Sequence, residues 1–401
     1  MIHSSNYKPR IYPILADVDS SEMDRVQSLD STTSLNRTKI EEVGRDGVVD
    51  WRSTTPSVSV NMRQLEYGNI EFYRQLANKG STVTQVNFTD YRTPKFDVVG
   101  YKTDDSGTFL GTILYPSLRV SGWNLSIGDP DALLERGFTF VGEDEIFWQN
   151  SNKYYVSNRY VIGTTGLNRT VTVSDPTPVA DPDLSGRYLY RVVKYSGGTA
   201  TELTHGVDWS YNGAGTLTIN GSSTLGDVIR VWYSGGSYQS GVSTFSNNDT
   251  DVGGISADSC DIFIVSATRV SRLQSVSVDT TFDRQDIKEI GNTLVVAQGT
   301  RDITHRITLG RIIETYSIEE ILRGKAGVSY GKLNVRNYLD NLSLVIKTYS
   351  DNTKATFKLG YKWSNLSPTN RDTTTPTSDY INAGNTLEGE EGFITNVNAV
   401  L

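Results

Sequence analysis

Three histidines (His3, His205 and His305) and one cysteine, Cys260, are all this 401-residue sequence offers of the side chains that most often carry nucleophilic or metal chemistry. No pair of these histidines stands at a spacing suited to a shared metal or a Ser-His-Asp relay. A lone cysteine makes neither an intramolecular disulfide nor a cysteine-based zinc site. His305 falls at an inward-facing strand position and reads as a core or interface residue. His205 falls in a turn and reads as solvated. Asp129 and Asp131, just ahead of Ala132-Leu133-Leu134-Glu135-Arg136, could hold a cation, but the plainer reading is the acidic start of a helix. Glu143, Asp144 and Glu145 read as a solvated loop. Asp249, Asp251, Asp258 and Asp261 lack the fixed ligand spacing of a calcium loop. No phosphate-cradling glycine loop occurs. The expectation is a protein that is not an enzyme and holds no cofactor and no metal.

The elements behind these residues are strands. Hydrophobic residues make up 37% of the chain and charged ones 21%, a globular balance with enough apolar material for real cores. The 36 glycines and 22 tyrosines, with abundant Thr, Ser and Val, favour strands and tight turns over helices. No run of about 18 apolar residues marks a membrane span, and residues 1–10 lack the apolar core of a secretory signal. The net charge of −8 argues against a broad basic footprint for gripping nucleic acid. It leaves open a surface that nucleic acid passes without sticking.

The length asks for two or three domains, and the sequence supplies a repeat. Residues 25–44 (RVQSLDSTTSLNRTKIEEVG) align without a gap on residues 272–291 (RLQSVSVDTTFDRQDIKEIG), an offset of 247. Eight of the twenty positions are identical, among them Arg37/Arg284, Ile40/Ile287, Glu42/Glu289 and Gly44/Gly291, where chance gives roughly one or two. The same offset sets Val60 on Ile307 and Met62 on Leu309. Leu29, Thr33 and Leu35 alternate as Val276, Thr280 and Phe282 do, the period of a strand with one buried face. Each copy then turns helical: Asn69 caps IEFYRQLANKG, stopped at Gly80, and Ser317 caps IEEILRGKAG, stopped at Gly324. A third block pairs Gly122-Trp123-Asn124-Leu125-Ser126 with Trp363-Ser364-Asn365-Leu366-Ser367. Polar identities kept by two diverged copies suggest one shared job. For Arg37, Glu42, Arg284 and Glu289 that job is a salt bridge or inter-domain contact, or a place on the lining of a channel.

Between the copies, short strands alternate with turns such as Gly197-Gly198 and Asn212-Gly213. The expected organisation is a first domain over residues 1–160, a small all-β insert over 161–240, a polar linker over 241–258, and a second domain over 259–401.

The segment QSVSVDTTFDRQDIKEIG, a long loop, a strand and a helix ending ILRG, with its first-copy partner QSLDSTTSLNRTKIEEVG through EYGNIEFYRQLANKG, resembles the tail tube proteins of tailed bacteriophages. The likeness covers residues 10–145 and 259–401 and rests on the order of elements. It implies two tandem antiparallel β-sandwich or barrel domains, each with a flanking helix, plus an Ig-like insert. It also implies trimeric rings of pseudo-sixfold symmetry stacked into a hollow tube, as in long non-contractile tails. The implied setting is the virion tail, assembled in the host bacterial cytoplasm and touching no membrane. The implied partners are further copies of the chain, a tape measure protein, linear double-stranded DNA bound without sequence preference, and tail terminator and distal tail proteins. The lumen candidates are residues 58–64 and 306–311 or their neighbours. Three alternatives stay open at the sequence level: another ring-forming tail component, such as a baseplate or terminator ring; a glycan-binding virion protein using the Tyr- and Trp-bearing insert; and an ordinary soluble two-domain β protein with no assembly role.

Overall fold

The computed structural model describes residues 7–23, 25–35, 37–41, 48–53, 56–66, 70–103, 109–128, 132–149, 154–174, 176–180, 188–237, 255–264, 268–270, 273–288, 295–313, 344–349, 354–359, 363–369, 381–389 and 392–396. These residues are mainly β, in several antiparallel sheets, with one short α-helix.

The first repeat runs β1 (Tyr7–Pro13), β2 (Ser21–Glu22), β3 (Val26–Ser34), β4 (Arg37–Glu41), β5 (Val48–Ser53) and β6 (Ser57–Leu65), then α1 (Glu71–Leu76). After it come β7 (Gln85–Asn87), β8 (Phe96–Thr103), β9 (Phe109–Ile127), β10 (Glu135–Gly142) and β11 (Ile146–Gln149). Strand β9 belongs to two sheets. Its first half pairs with β8 and β11, and its second half with β10. Near the change of sheet Ser117 takes a positive φ of 54°, an uncommon backbone state for a non-glycine residue. The result is a front sheet, β3-β6-β10-β9, and a back sheet, β2-β1-β8-β9-β11. Val58, Val60 and Met62 of β6 and Phe138 and Phe140 of β10 meet Ile11, Phe96 and Val98 of the back sheet in one core. The alternation Ser-Val-Ser-Val-Asn-Met in β6 is what one buried and one wet face require.

Two local expectations need correcting. Among the described residues α1 alone stands for the flanking helices; it buries Phe72, Tyr73 and Leu76 and ends at Leu76 rather than at the expected stop, Gly80. Asn78, at φ 52°, takes the left-handed turn just beyond it. The matching stretch in the second repeat, residues 314–324, and the proposed cap Asn69 lie outside the described residues. No helix starts at Ala132 either. Residues 135–142 form β10, because Phe138 and Phe140 alternate into the core and that tertiary pattern overrides the local helix cues.

The insert comprises β12 (Tyr154–Val161), β13 (Gly166–Thr172), β14 (Leu189–Ser196), β15 (Thr199–Glu202), β16 (Trp209–Tyr211), β17 (Thr216–Ser223) and β18 (Val228–Gly235). Two sheets, β12-β18-β14-β15 and β13-β17-β16, close on Val156, Val192, Trp209, Leu217, Ile229 and Val231. Strand β12, which precedes residue 161, pairs with β18 in the larger of these sheets. The turn glycines Gly197 and Gly198 both have positive φ, 56° and 82°, which fits the tight hairpin between β14 and β15. The other face of the larger sheet is not free. Tyr155, Val193, Tyr195 and Trp232 pack on Tyr12, Val99, Tyr101, Leu114 and Trp148 of the first repeat. Every position of β18 is buried, so the insert is docked on the back sheet instead of hanging from a tether.

The second repeat runs β19 (Cys260–Ile264), β20 (Thr268–Arg269), β21 (Leu273–Lys288), β22 (Val295–Ile313), β23 (Leu344–Tyr349), β24 (Lys354–Leu359), β25 (Trp363–Thr369), β26 (Ile381–Gly389) and β27 (Gly392–Asn396). Its front sheet is β21-β22-β26-β25 and its back sheet β20-β19-β23-β24-β27. This is the strand order of the first repeat, with β24 and β25 standing for the two halves of β9. The register repeats too. Leu29 faces Met62 as Val276 faces Leu309, and Arg37 faces Ser53 as Arg284 faces Thr300. The two repeats join through both sheets, because β9 pairs with β21 and β7 pairs with β27.

His305 lies in this seam, fully buried, as its match to Val58 requires. Its Nδ1 is hydrogen-bonded to the Thr280 hydroxyl at 2.8 Å, and its ring centroid is 4.7 Å from that of Phe88. Burial holds its pKa down at about 4, against an ordinary 6.5. Between those values the unfolded chain binds the extra proton. The stabilisation from a neutral His305 is therefore complete above pH 6.5 and is lost as pH falls toward 4, by about 3 kcal/mol. His305→Val, which copies the first repeat, is expected to flatten the fall in melting temperature between pH 7 and pH 4.5. An unchanged fall would show that His305 is not the acid-sensitive group.

Candidate functional site

The front sheets of the two repeats form one continuous eight-stranded sheet, β3-β6-β10-β9-β21-β22-β26-β25. One face is the core. The other carries short or polar side chains in rows across the strands. One row reads Asp30, Asn61, Thr139, Gly122, Thr281 and Thr304. The next reads Ser28, Arg63, Gly137, Asn124, Asp279 and Arg306. Gly137 keeps this surface low, since a Cβ there would stand 2.3 Å from Asn124 Oδ1. A shallow concavity of about 310 Å³ opens beside it, bordered by Arg63, Ser126, Glu135 and Asp279.

Among the described residues the exposed charges on this face include Asp30, Glu135, Asp279, Asp283 and Asp302, against Arg63 and Arg306. Acid predominates, so a phosphate backbone would find little to hold it. The hairpin segments singled out from the sequence divide by face. Ser59, Asn61 and Arg63 of β6, with Arg306 and Thr308 of β22, lie on the polar side, while Val58, Val60, Met62, Ile307 and Leu309 enter the core. Among the described residues no group of three or more His, Cys, Asp or Glu side chains converges on one point.

Among the described residues the sheet ends at β3 on one side and β25 on the other, each with one ladder edge that pairs with no described strand. In the back sheet β11 likewise pairs only with β9, whereas its counterpart β27 carries β7 on its outer side. Unpaired edges are ready templates for another strand.

The four residues marked by the repeat have different fates. Arg284 sits in the seam. Its guanidinium donates to the main-chain carbonyls of Val120 at 2.8 Å, Arg92 at 2.6 Å and Tyr91 at 2.7 Å, and also to the Thr300 hydroxyl. Burial, with the like charge of Arg119, lowers its pKa to about 10, so it stays charged at neutral pH. Arg37 stands exposed at the base of the β4–β5 ribbon. Glu42 and Glu289 lie outside the described residues, as do Gly44 and Gly291.

A polar hub that no spacing in the sequence marks docks the insert. Asp97 is fully buried opposite the bend in β9, where it accepts the Ser117 N–H at 2.7 Å. The same carboxylate takes Arg191 from β14 at 2.6 Å and the Tyr155 hydroxyl from β12. A second clamp joins Asp17 to Arg159 at 2.8 Å and to Arg230 at 3.1 Å. These partners lie tens to hundreds of residues apart, and no spacing signals them.

No protein-family model matches this chain, and no curated protein aligns with it significantly.

Proposed function

We propose that the chain is a structural subunit of a bacteriophage-type tail tube. The two repeats take two adjacent places in one ring, and the continuous polar sheet face lines a channel for double-stranded DNA. The observation that carries this reading is the way both sheets cross the seam between repeats. The contact that joins β9 to β21 leaves β3 and β25 open at the two ends of the same sheet. Applied once more, it joins β25 of one chain to β3 of the next. Both sheet ends run in the sense such a join needs, because the eight strands alternate throughout. A head-to-tail contact of this kind makes a ring when its rotation closes, and the front sheet then has no free end.

Three chains would supply six repeats and twenty-four front strands. The predominantly acidic, low-relief face suits passage of a polyanion by mutual repulsion, and a tape measure protein would occupy the same space before DNA does. The insert is docked on the back sheet, away from that face, so it would decorate the outside without narrowing the channel. Terminator and distal tail proteins would meet the end rings.

Electron microscopy of the negatively stained, purified protein tests the reading. Hollow tubes or threefold rings of six similar lobes are expected. Dispersed monomers that form neither at high concentration would contradict it.

A further inference from the structure

The two repeats place equivalent residues in opposite environments. In the second repeat Phe282 is 2% exposed and lies edge-on to Tyr91 with ring centroids 5.9 Å apart, while Arg284, two residues on, is anchored on the carbonyls of Tyr91, Arg92 and Val120. All of these partners belong to the first repeat. The equivalent positions in the first repeat are Leu35, 66% exposed, and Arg37, also exposed. Along β21, Val276, Val278 and Thr280 are buried in the seam, whereas Ser31 and Thr33 on β3 remain exposed. On this side of β3 the Ser31 and Thr33 hydroxyls donate to Glu145, each at 2.7 Å, and among the described residues no strand pairs there; the same side of β21 holds the repeats together.

We propose that Leu35 and Arg37 are the anchor by which the first repeat of one chain is held on the second repeat of another copy of the same chain. Leu35 fills the place that Phe282 fills within the chain. Arg37 donates to main-chain carbonyls at the β25 edge, as Arg284 does to Val120 on β9. Backbone carbonyls are acceptors that survive sequence divergence, so an arginine kept in both copies needs no carboxylate kept opposite it. The Arg37–Ser53 register repeats that of Arg284 and Thr300, so the arginine leaves its ribbon at the same point in both copies. This proposal rests on the ring reading above and adds the residues that hold the ring.

The test compares the full-length protein with Arg37→Glu and Leu35→Asp by sedimentation velocity across a concentration series, with thermal melting of each at a concentration where it is monomeric. Both variants are expected to melt as the parent does, because both side chains are exposed in the single chain. The concentration for half-assembly is expected to rise at least tenfold. Assembly of Arg37→Glu at the parental concentration would overturn the anchor while leaving the ring standing. A fall of several degrees in its monomer melting temperature would also overturn it, by giving Arg37 a role inside one chain. A parent protein that never assembles would overturn both anchor and ring.

Discussion

Glu66→Ala is expected to destabilise the protein by about 3–5 kcal/mol, the cost of breaking a fully buried ion pair from one side. Glu66 and Arg136 are both completely inaccessible and lie 2.9 Å apart. Arg136 Nε donates to Gln64 Oε1 at 2.9 Å, and the Tyr73 hydroxyl donates to Glu66 Oε2 at 2.8 Å. The guanidinium also lies 4.7 Å from the ring centre of Tyr73 and 5.2 Å from that of Phe72. The pair thus fixes α1 to β6 and β10. The backbone of Glu66 adds a further tie, donating to Leu134 at 2.9 Å and accepting from Ile255 at 2.9 Å. Removing the carboxylate leaves a desolvated cation, whereas Glu66→Gln keeps an acceptor and should lose less. The double variant Glu66→Leu with Arg136→Met should recover part of the loss, since an apolar pair leaves no buried charge. Urea unfolding measures all three. A loss under about 1 kcal/mol for Glu66→Ala, typical of an exposed pair, would contradict this burial.

Asp97→Ala should be almost as damaging and should act on a different joint. The carboxylate serves Ser117 at the bend of β9, Tyr155 on β12 and Arg191 on β14. Its loss leaves the nearly buried Arg191 guanidinium with Glu202 at 3.1 Å and the Ser117 hydroxyl at 2.7 Å but without its closest carboxylate, and a loss of about 3 kcal/mol is expected, the low end of what breaking a buried pair costs. The effect should also be local. Limited proteolysis is expected to release the insert from the variant sooner than from the parent. Asp97→Asn keeps an acceptor for Ser117 and should release it more slowly than alanine does. Equal release from parent and Asp97→Ala would mean that the apolar contact through Trp148 and Trp232 holds the insert alone.

The repeat was legible because its signal is periodic and local. Offset 247 predicts the register of β3 with β6 and of β21 with β22, residue on residue, and the alternation of β6 marks its core face. Less was legible where both faces of a strand are covered. Tyr154-Tyr155-Val156 lacks a wet face, since β12 has its own core on one side and the first repeat on the other. Its membership of the insert was therefore hidden. At Ala132-Leu133-Leu134-Glu135-Arg136 the local cues favoured a helix, but Arg136 is needed on β10 to reach Glu66. For the candidate site, the sequence picked out Arg37 and Arg284 as a matched pair but could not say that one would be covered and the other bare. That difference arises from chain order. The second repeat finds the first beside it, β21 on β9, while among the described residues β3 pairs only with β6.

The central claim is that the seam between repeats recurs between chains. A cryo-EM reconstruction of the assembled particle tests it most directly. Threefold rings are expected in which β25 of one chain runs antiparallel to β3 of the next, with Asp30, Asn61, Asp279 and Arg306 facing the lumen. Sixfold rings of whole chains, or an assembly in which β3 and β25 stay unpaired, would contradict it.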